Sequence, residues 1–196
     1  MSRAIPHMDT LEKIQHFADA AHGGQMRKYR PERYIAHPIR VMHLCRAFTT
    51  DETILASALL HDVLEDTPVM AGQIRLFLLP LLGAEGTEKT LGLVTELTDV
   101  YIKRDFPDMN RSKRKEMESR RMAGISPEAQ TVKYADILDN CREIVSHDPS
   151  FARVFLSECK SLLKQMTQGN PLLYNAALSE IDTGLQALHK KDRAAG

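Results

Sequence analysis

Four ionisable residues, His61, Asp62, Glu65 and Asp66, interrupt the apolar stretch ALLHDVLEDT at Ala58–Thr67. Each stands where Leu or Ala would pack better, and a carboxylate buried without a partner is costly, so the cluster needs a metal, a cation or water. On a helix, residues four apart lie one above the other, which aligns His61 with Glu65 and Asp62 with Asp66. Elsewhere the chain offers His37, at a helix entry, and Asp136, embedded in the apolar pattern VKYADIL. Together His37, His61, Asp62 and Asp136 make a two-imidazole, two-carboxylate set. Such mixed nitrogen and oxygen ligation suits a divalent metal such as Mn, Fe or Zn, with positions left for water and substrate. A structural zinc site would more often draw on cysteine. Adjacent His and Asp cannot both point the same way from an ideal helix. A shared ion must sit between their directions, with the other ligands arriving from separate segments, as His37 and Asp136 do. The competing reading of an HDxxED run is a solvated helix end whose acids pair with surface arginines.

The elements that would position these residues read as helices. DTLEKIQHFADAAHGG places Leu11, Ile14, Phe17, Ala18 and Ala21 on one face. Asp9 and Glu12 have capping-box spacing, and Gly23 and Gly24 end the run. A polar loop, QMRKYRPERY, leads into HPIRVMHLCRAF, where Pro38 suits a first helical position. TTDETILASALLHDVLED reads as one helix capped by Thr50 or Asp51 and ended by Pro68. Residues 70–98 read as one or two helices interrupted near Pro80 and Gly83. A polar loop with a short charged helix follows, and SPEAQTVKYADILDNCREIV restarts with Ser126 as cap and Pro127 at the first position. Two amphipathic helices, roughly 151–167 and 171–190, are separated by QGNP. Alternating strand patterns bounded by turns are absent. The expectation is an all-helical bundle of seven to ten helices, one domain over residues 1–196, with little or no sheet.

Bulk properties narrow the function classes. The 196 residues carry 26 Lys and Arg against 26 Asp and Glu, so no global field recruits nucleic acid or a membrane surface. The three cysteines, Cys45, Cys141 and Cys159, form no CxxC pair and fall in apolar patterns, which favours buried free thiols. The N-terminus MSRAIPHMDT lacks the apolar core of a signal peptide, and no run approaches 18 apolar residues. A reduced, cytoplasmic, soluble domain is expected. GAEGTEKT places Lys89 and Thr90 at Walker spacing after Gly83, but Glu88 stands where the phosphate cradle needs Gly. A phosphate loop is rejected there. His7, His16, His22, His43, His147 and His189 show no convergent partner. Of these His22 is set apart by lying in AHGGQ.

The motifs AHGGQMRK, YIAHPIRV, ALLHDVLEDT, LVTELTD and VKYADILDNCRE occur in an order and spacing that resemble the RelA/SpoT-type alarmone hydrolases, in their small, hydrolase-only HD-domain form. The resemblance covers roughly residues 8–145, and the helices at 151–190 complete the bundle or form a subunit contact. It implies a Mn²⁺-dependent hydrolysis of guanosine 3′,5′-bispyrophosphates, ppGpp or pppGpp, that releases the 3′-pyrophosphate. Carried over, the metal ligands are His37, His61, Asp62 and Asp136, and Glu65 and Asp66 position and activate the attacking water. Arg27 and Lys28 match the nucleotide-pocket pair, with arginine suited to stack on guanine and lysine to meet phosphate. Asn140 matches a ribose-facing asparagine. The partner implied is therefore a guanine nucleotide. One departure lies in the base-pocket loop, where YRPER replaces a Gly-containing turn. The basic run NRSKRKEMESRR, with six Lys or Arg against two Glu, reads as a solvated face or a source of cations for pyrophosphate. No synthetase segment is expected. Alternatives are another HD-domain phosphohydrolase, acting on the 2′-phosphate of NADPH or on a nucleoside monophosphate, and a nucleotide sensor without catalysis.

Overall fold

The structure, a computed structural model, describes residues 8–195, with side chains through Lys190. His7 and most of the N-terminal stretch MSRAIPHMDT lie outside these residues. Among the described residues nine helical segments occur and no strand; the closest approach to sheet is one antiparallel bridge between Met26 and Arg33. The all-helical expectation holds.

Local sequence accounts for the boundaries. In α1 (Thr10–His22) the Asp9 side chain accepts from the Glu12 N–H at 2.7 Å and Glu12 returns a bond to the Asp9 N–H at 2.9 Å, a full capping box. Gly23 ends it at φ +55°, a conformation that an L side chain adopts only under strain. Helix α2 (Ala36–Arg46) begins two residues before Pro38, so the proline sits at the third position, still within the turn whose N–H groups lack helical partners. Asp51 caps α3 (Glu52–Leu60), accepting from the Thr53 N–H at 2.9 Å.

The single helix expected through Asp66 is divided. After α3 the chain turns at His61 and Asp62 and resumes as the one-turn α4 (Val63–Asp66). Asp62 adopts φ −96°, ψ −5°, which rotates its side chain away from the direction an unbroken helix would impose. Helix α5 (Ala71–Leu97) is the interrupted element: Gly83, at φ +69°, breaks it in two just after Pro80. Lys89 and Thr90 lie within its second half, and Lys89 pairs with Asp51 at 2.7 Å, an ordinary helix-surface role. Asn110 caps α6 (Arg111–Met122), and Ser126 with Pro127 opens α7 (Pro127–His147) as expected. The last two helices are α8 (Pro149–Leu163) and α9 (Pro171–Ala195).

Helix α3 is the centre of one half, every residue from Ile54 to Leu60 being buried against α1, α2 and α5. Helix α7 is the centre of the other, packed on α2 to one side and on α8 and α9 to the other. All three cysteines are buried free thiols. No described helix is long and apolar enough to cross a membrane.

Candidate metal centre and its cleft

The α3–α4 break, the first turn of α2 and the middle of α7 meet in one buried spot. His61 Nε2 lies 3.0 Å from Asp62 Oδ2, so the neighbours that diverge on an ideal helix converge here. His37 Nε2 approaches the same oxygen to 3.7 Å. Ligand atoms of these three residues all fall within 4.8 Å of one another, and among the described residues they form the one group of His, Cys, Asp and Glu close enough to hold a metal ion. Asp136 flanks them, with Oδ1 at 3.2 Å from His37 Nε2 and 3.8 Å from His61 Nε2. That oxygen also accepts from Asn140 Nδ2 at 2.7 Å, while Oδ2 pairs with Lys133 Nζ at 2.9 Å.

The imidazoles are held by their far nitrogens. His61 Nδ1 bonds the Ala58 carbonyl at 2.8 Å and His37 Nδ1 meets Asp139 Oδ2 at 2.7 Å. Asp139 in turn accepts from Arg40 Nε at 2.8 Å. These outer contacts fix ring orientation and leave Nε2 of both rings facing the carboxylates, the arrangement found around metal-binding histidines. His61 Nε2 is buried and makes no well-aligned hydrogen bond, although Asp62 Oδ2 lies 3.0 Å away. An orphaned buried nitrogen beside two carboxylates fits a divalent cation.

Charge is balanced within this cluster. Burial opposes protonation of His37, but Asp136 and Asp139 outweigh it and raise the imidazole to about 9. His61 is raised against the same burial by Asp62 and Asp136. Burial works equally against the charged forms of Asp62 and Asp136, yet both stay far below the usual carboxylate range, Asp62 through His61 and His37, Asp136 through Lys133 and His37.

The cluster opens into a cleft of about 1380 Å³ that reaches along α6 and α8. Glu65 and Asp66, on the single turn of α4, stand on its wall. Glu65 Oε2 accepts from the Asp99 N–H at 3.1 Å. Its side chain reaches the surface, but the crowded wall draws it from bulk water and the Asp99 carboxylate faces it, and together they push it up to about 7. Asp66 is raised too, by partial burial and by Asp62.

Of the expected nucleotide-binding residues, Arg27 and Asn140 line this cleft and Lys28 does not. Lys28 Nζ turns to the Tyr29 hydroxyl at 2.8 Å and to Asp148 at 3.7 Å. Arg27 Nη2 donates to Asn140 Oδ1 at 2.9 Å and to Glu143 at 3.0 Å, which joins the loop to α7. The YRPER segment lacks glycine and is held by charge: Arg30 pairs with Glu143, Glu32 with Arg40, and Arg33 with Asp19. Arg27, Arg30 and Arg40 thus share one buried carboxylate, Glu143. Tyr34, Arg40, Lys133, Asp139 and Glu143 escaped the sequence-based list. Asp139 carried a readable signal, lying three residues after Asp136 and so on nearly the same face of α7. The basic α6 does border the cleft, through Arg111, Lys115 and Arg120.

Comparison with known proteins follows the same outline. The HD domain pattern matches residues 34–141. The Drosophila melanogaster guanosine-3′,5′-bis(diphosphate) 3′-pyrophosphohydrolase MESH1 is 32% identical over 148 residues, 74% of each chain. A probable guanosine-3′,5′-bis(diphosphate) 3′-pyrophosphohydrolase of Synechocystis is 33% identical over 74% of this chain, which spans only 18% of that longer protein. Among solved structures, a metazoan SpoT ortholog that hydrolyses ppGpp superposes with a TM-score of 0.66 over 96% of this chain and 98% of its own, at 24% identity, a likeness of fold. By motif, by fold and by these similarities, the chain belongs to the HD-domain family, among the relatives of MESH1.

Proposed function

We propose that this chain is a divalent-metal-dependent 3′-pyrophosphohydrolase of guanosine 3′,5′-bis(diphosphate), with Mn²⁺ as its ion. One observation carries the reading: two buried imidazole nitrogens and an Asp62 oxygen converge, and one of them, His61 Nε2, has no other partner. His37, His61 and Asp62 would hold the ion, with Asp136 as the fourth ligand. When bound, the ion supplies positive charge at phosphoryl oxygens and acidifies water. The activity named for the MESH1 relatives supports the choice of substrate.

The chain's own residues do the rest. Glu65, with its carboxyl near neutrality, accepts a proton from water, and a group poised near working pH does this best. Asp66, one residue on, orients that water. The oxygen adds to the phosphorus attached to O3′, the P–O3′ bond breaks, a proton ends on the 3′-hydroxyl, and GDP and pyrophosphate part. Arg27 and Asn140 on the cleft wall meet the nucleoside, and Lys133 and Lys115 face the substrate's negative charge; Lys28, held by Tyr29 and Asp148 outside the cleft, has no part in this reading. That α8 forms one wall of the cleft supports reading the chain as a single domain. Three buried thiols suit a reducing, cytoplasmic setting.

The test is product analysis after incubation with ppGpp and Mn²⁺, with NADPH and GMP in parallel. GDP plus pyrophosphate, abolished by chelator, is the expected result. Glu65→Gln should retain Mn²⁺ and lose about 10²- to 10⁴-fold in turnover. Turnover confined to NADPH or GMP would overturn the substrate, and none on any of the three with Mn²⁺ bound would overturn the enzyme reading.

A further inference from the structure

Tyr34 belongs to neither the ligand set nor the acid pair, yet its hydroxyl sits where the two meet. It donates to Asp62 Oδ2 at 2.7 Å, the same oxygen that both imidazoles approach. Asp66 also interacts with that hydroxyl. The ring is clamped. The His22 ring lies tilted against it at 4.4 Å between centroids, and the Arg27 guanidinium is 5.7 Å from the ring centre. The Tyr34 N–H donates to the Gln25 carbonyl at 2.9 Å. His22 is itself buried and anchored through Nδ1 to Gln25 Oε1 at 3.0 Å. A tyrosine has two side-chain torsions, and these contacts restrict both. The hydroxyl is therefore set in place before any ion or substrate arrives.

A phenol carries one proton, so it can donate to Asp62 or to Asp66 but not to both at once. Its bond to Asp62 Oδ2 decides how that carboxylate is presented to the imidazoles, and turning the O–H to Asp66 would give that bond up. We propose that Tyr34 is a positioning residue that ties the orientation of the metal-ligand candidate Asp62 to that of Asp66, and that His22 acts as the backing on which the Tyr34 ring is held. The kinetic part of this inference rests on the hydrolase reading above; the metal-affinity part does not. Outer partners of metal ligands commonly contribute 10- to 100-fold in metal affinity or activity.

Tyr34→Phe removes one oxygen and leaves the ring, the His22 stack and the Arg27 contact. Calorimetric titration of the metal-free variant with Mn²⁺ should show affinity weakened about 10- to 100-fold relative to the parent. At saturating Mn²⁺, kcat on ppGpp should fall about tenfold or more with KM within about twofold, because the lost group acts on the reacting end. His22→Ala should move Mn²⁺ affinity the same way by a smaller factor, and His22→Phe, which restores a ring against Tyr34, should recover it. That pair carries the test if Tyr34→Phe fails to fold, as judged by its thermal melt. Unchanged Mn²⁺ affinity in Tyr34→Phe would overturn the proposal. So would a raised KM with intact kcat, which would put the hydroxyl on a remote part of the substrate. If the parent binds Mn²⁺ but does not turn over ppGpp, the hydrolase reading fails, while the affinity ratio of parent to variant still decides the role of Tyr34.

Discussion

Helix α7 buries two faces of opposite character, and the contrast separates what holds this molecule together from what it does. One stripe, Gln130, Tyr134, Leu138 and Cys141, packs towards α9 and the loop before it, and its polar atoms are satisfied: the Tyr134 hydroxyl donates to the Met166 carbonyl at 2.6 Å and accepts from the Gly169 N–H. The other, Lys133, Asp136, Asn140 and Glu143, faces α2 and the loop at 25–34, and three of its four side chains are charged. Both recur at helical spacing. The first ends in a closed network; the second ends beside an orphaned nitrogen on His61. A packed face needs nothing further, whereas a face of buried charge with an unpaired acceptor is arranged around something it must bind.

The sharpest way to break the contrast is Asp136→Asn, which keeps the side-chain shape and removes the charge. Mn²⁺ binding should weaken by more than the ~100-fold attached to outer partners, and turnover of ppGpp should vanish, read by calorimetry and product analysis on the same sample. Retained affinity would remove Asp136 from the ligand set. On the satisfied face the expected effect is of another kind. A methyl added at Gly169 would meet Tyr134 Cε2 at 2.5 Å and the Thr131 nitrogen at 2.8 Å. Gly169→Ala should therefore cost about 1–3 kcal/mol of stability, a fall of roughly 2–4 °C in melting temperature for each kcal/mol, with kcat per folded molecule unchanged. A variant that melted normally but lost activity would mean that the two faces are not independent.

The last expected effect is a drift with pH. His37 is raised from its ordinary 6.5 to about 9 in the metal-free fold, so the stability it contributes is complete below about pH 6.5 and is lost as pH rises towards 9. Metal affinity should move the opposite way, rising over the same window, since an ion competes with the proton on the imidazole. Melting curves at pH 6.5 and 9, with and without Mn²⁺, check both signs; parallel curves would mean that His37 does not titrate between the two.

How far these features were legible in the sequence depended on distance along the chain. Caps and breaks are local, so Asp9 with Glu12, Ser126 with Pro127, and Gly83 could be read directly. The candidate ligands were also legible, because a His or Asp inside an apolar pattern is conspicuous without knowing its partner. Arg40 and Glu143 were not, since pairing Arg40 with Asp139 spans 99 positions and Arg27 with Glu143 spans 116, whereas Asp139 could have been found from its spacing to Asp136. Each alone resembles a solvated charge. Lys28 shows the converse: its motif is intact, but Tyr29 and Asp148 decide where it points. The break between α3 and α4 has no Gly or Pro to announce it.

That break limits how this site could be transplanted. On a continuous helix successive side chains diverge by about 100°, so the dipeptide His-Asp copied onto a straight, idealised bundle would aim its two donors at different neighbours. Sequence identity at those two positions would survive and the convergence would not. A designer reusing the motif would have to copy the backbone turn at Asp62 first, and choose the side chains second.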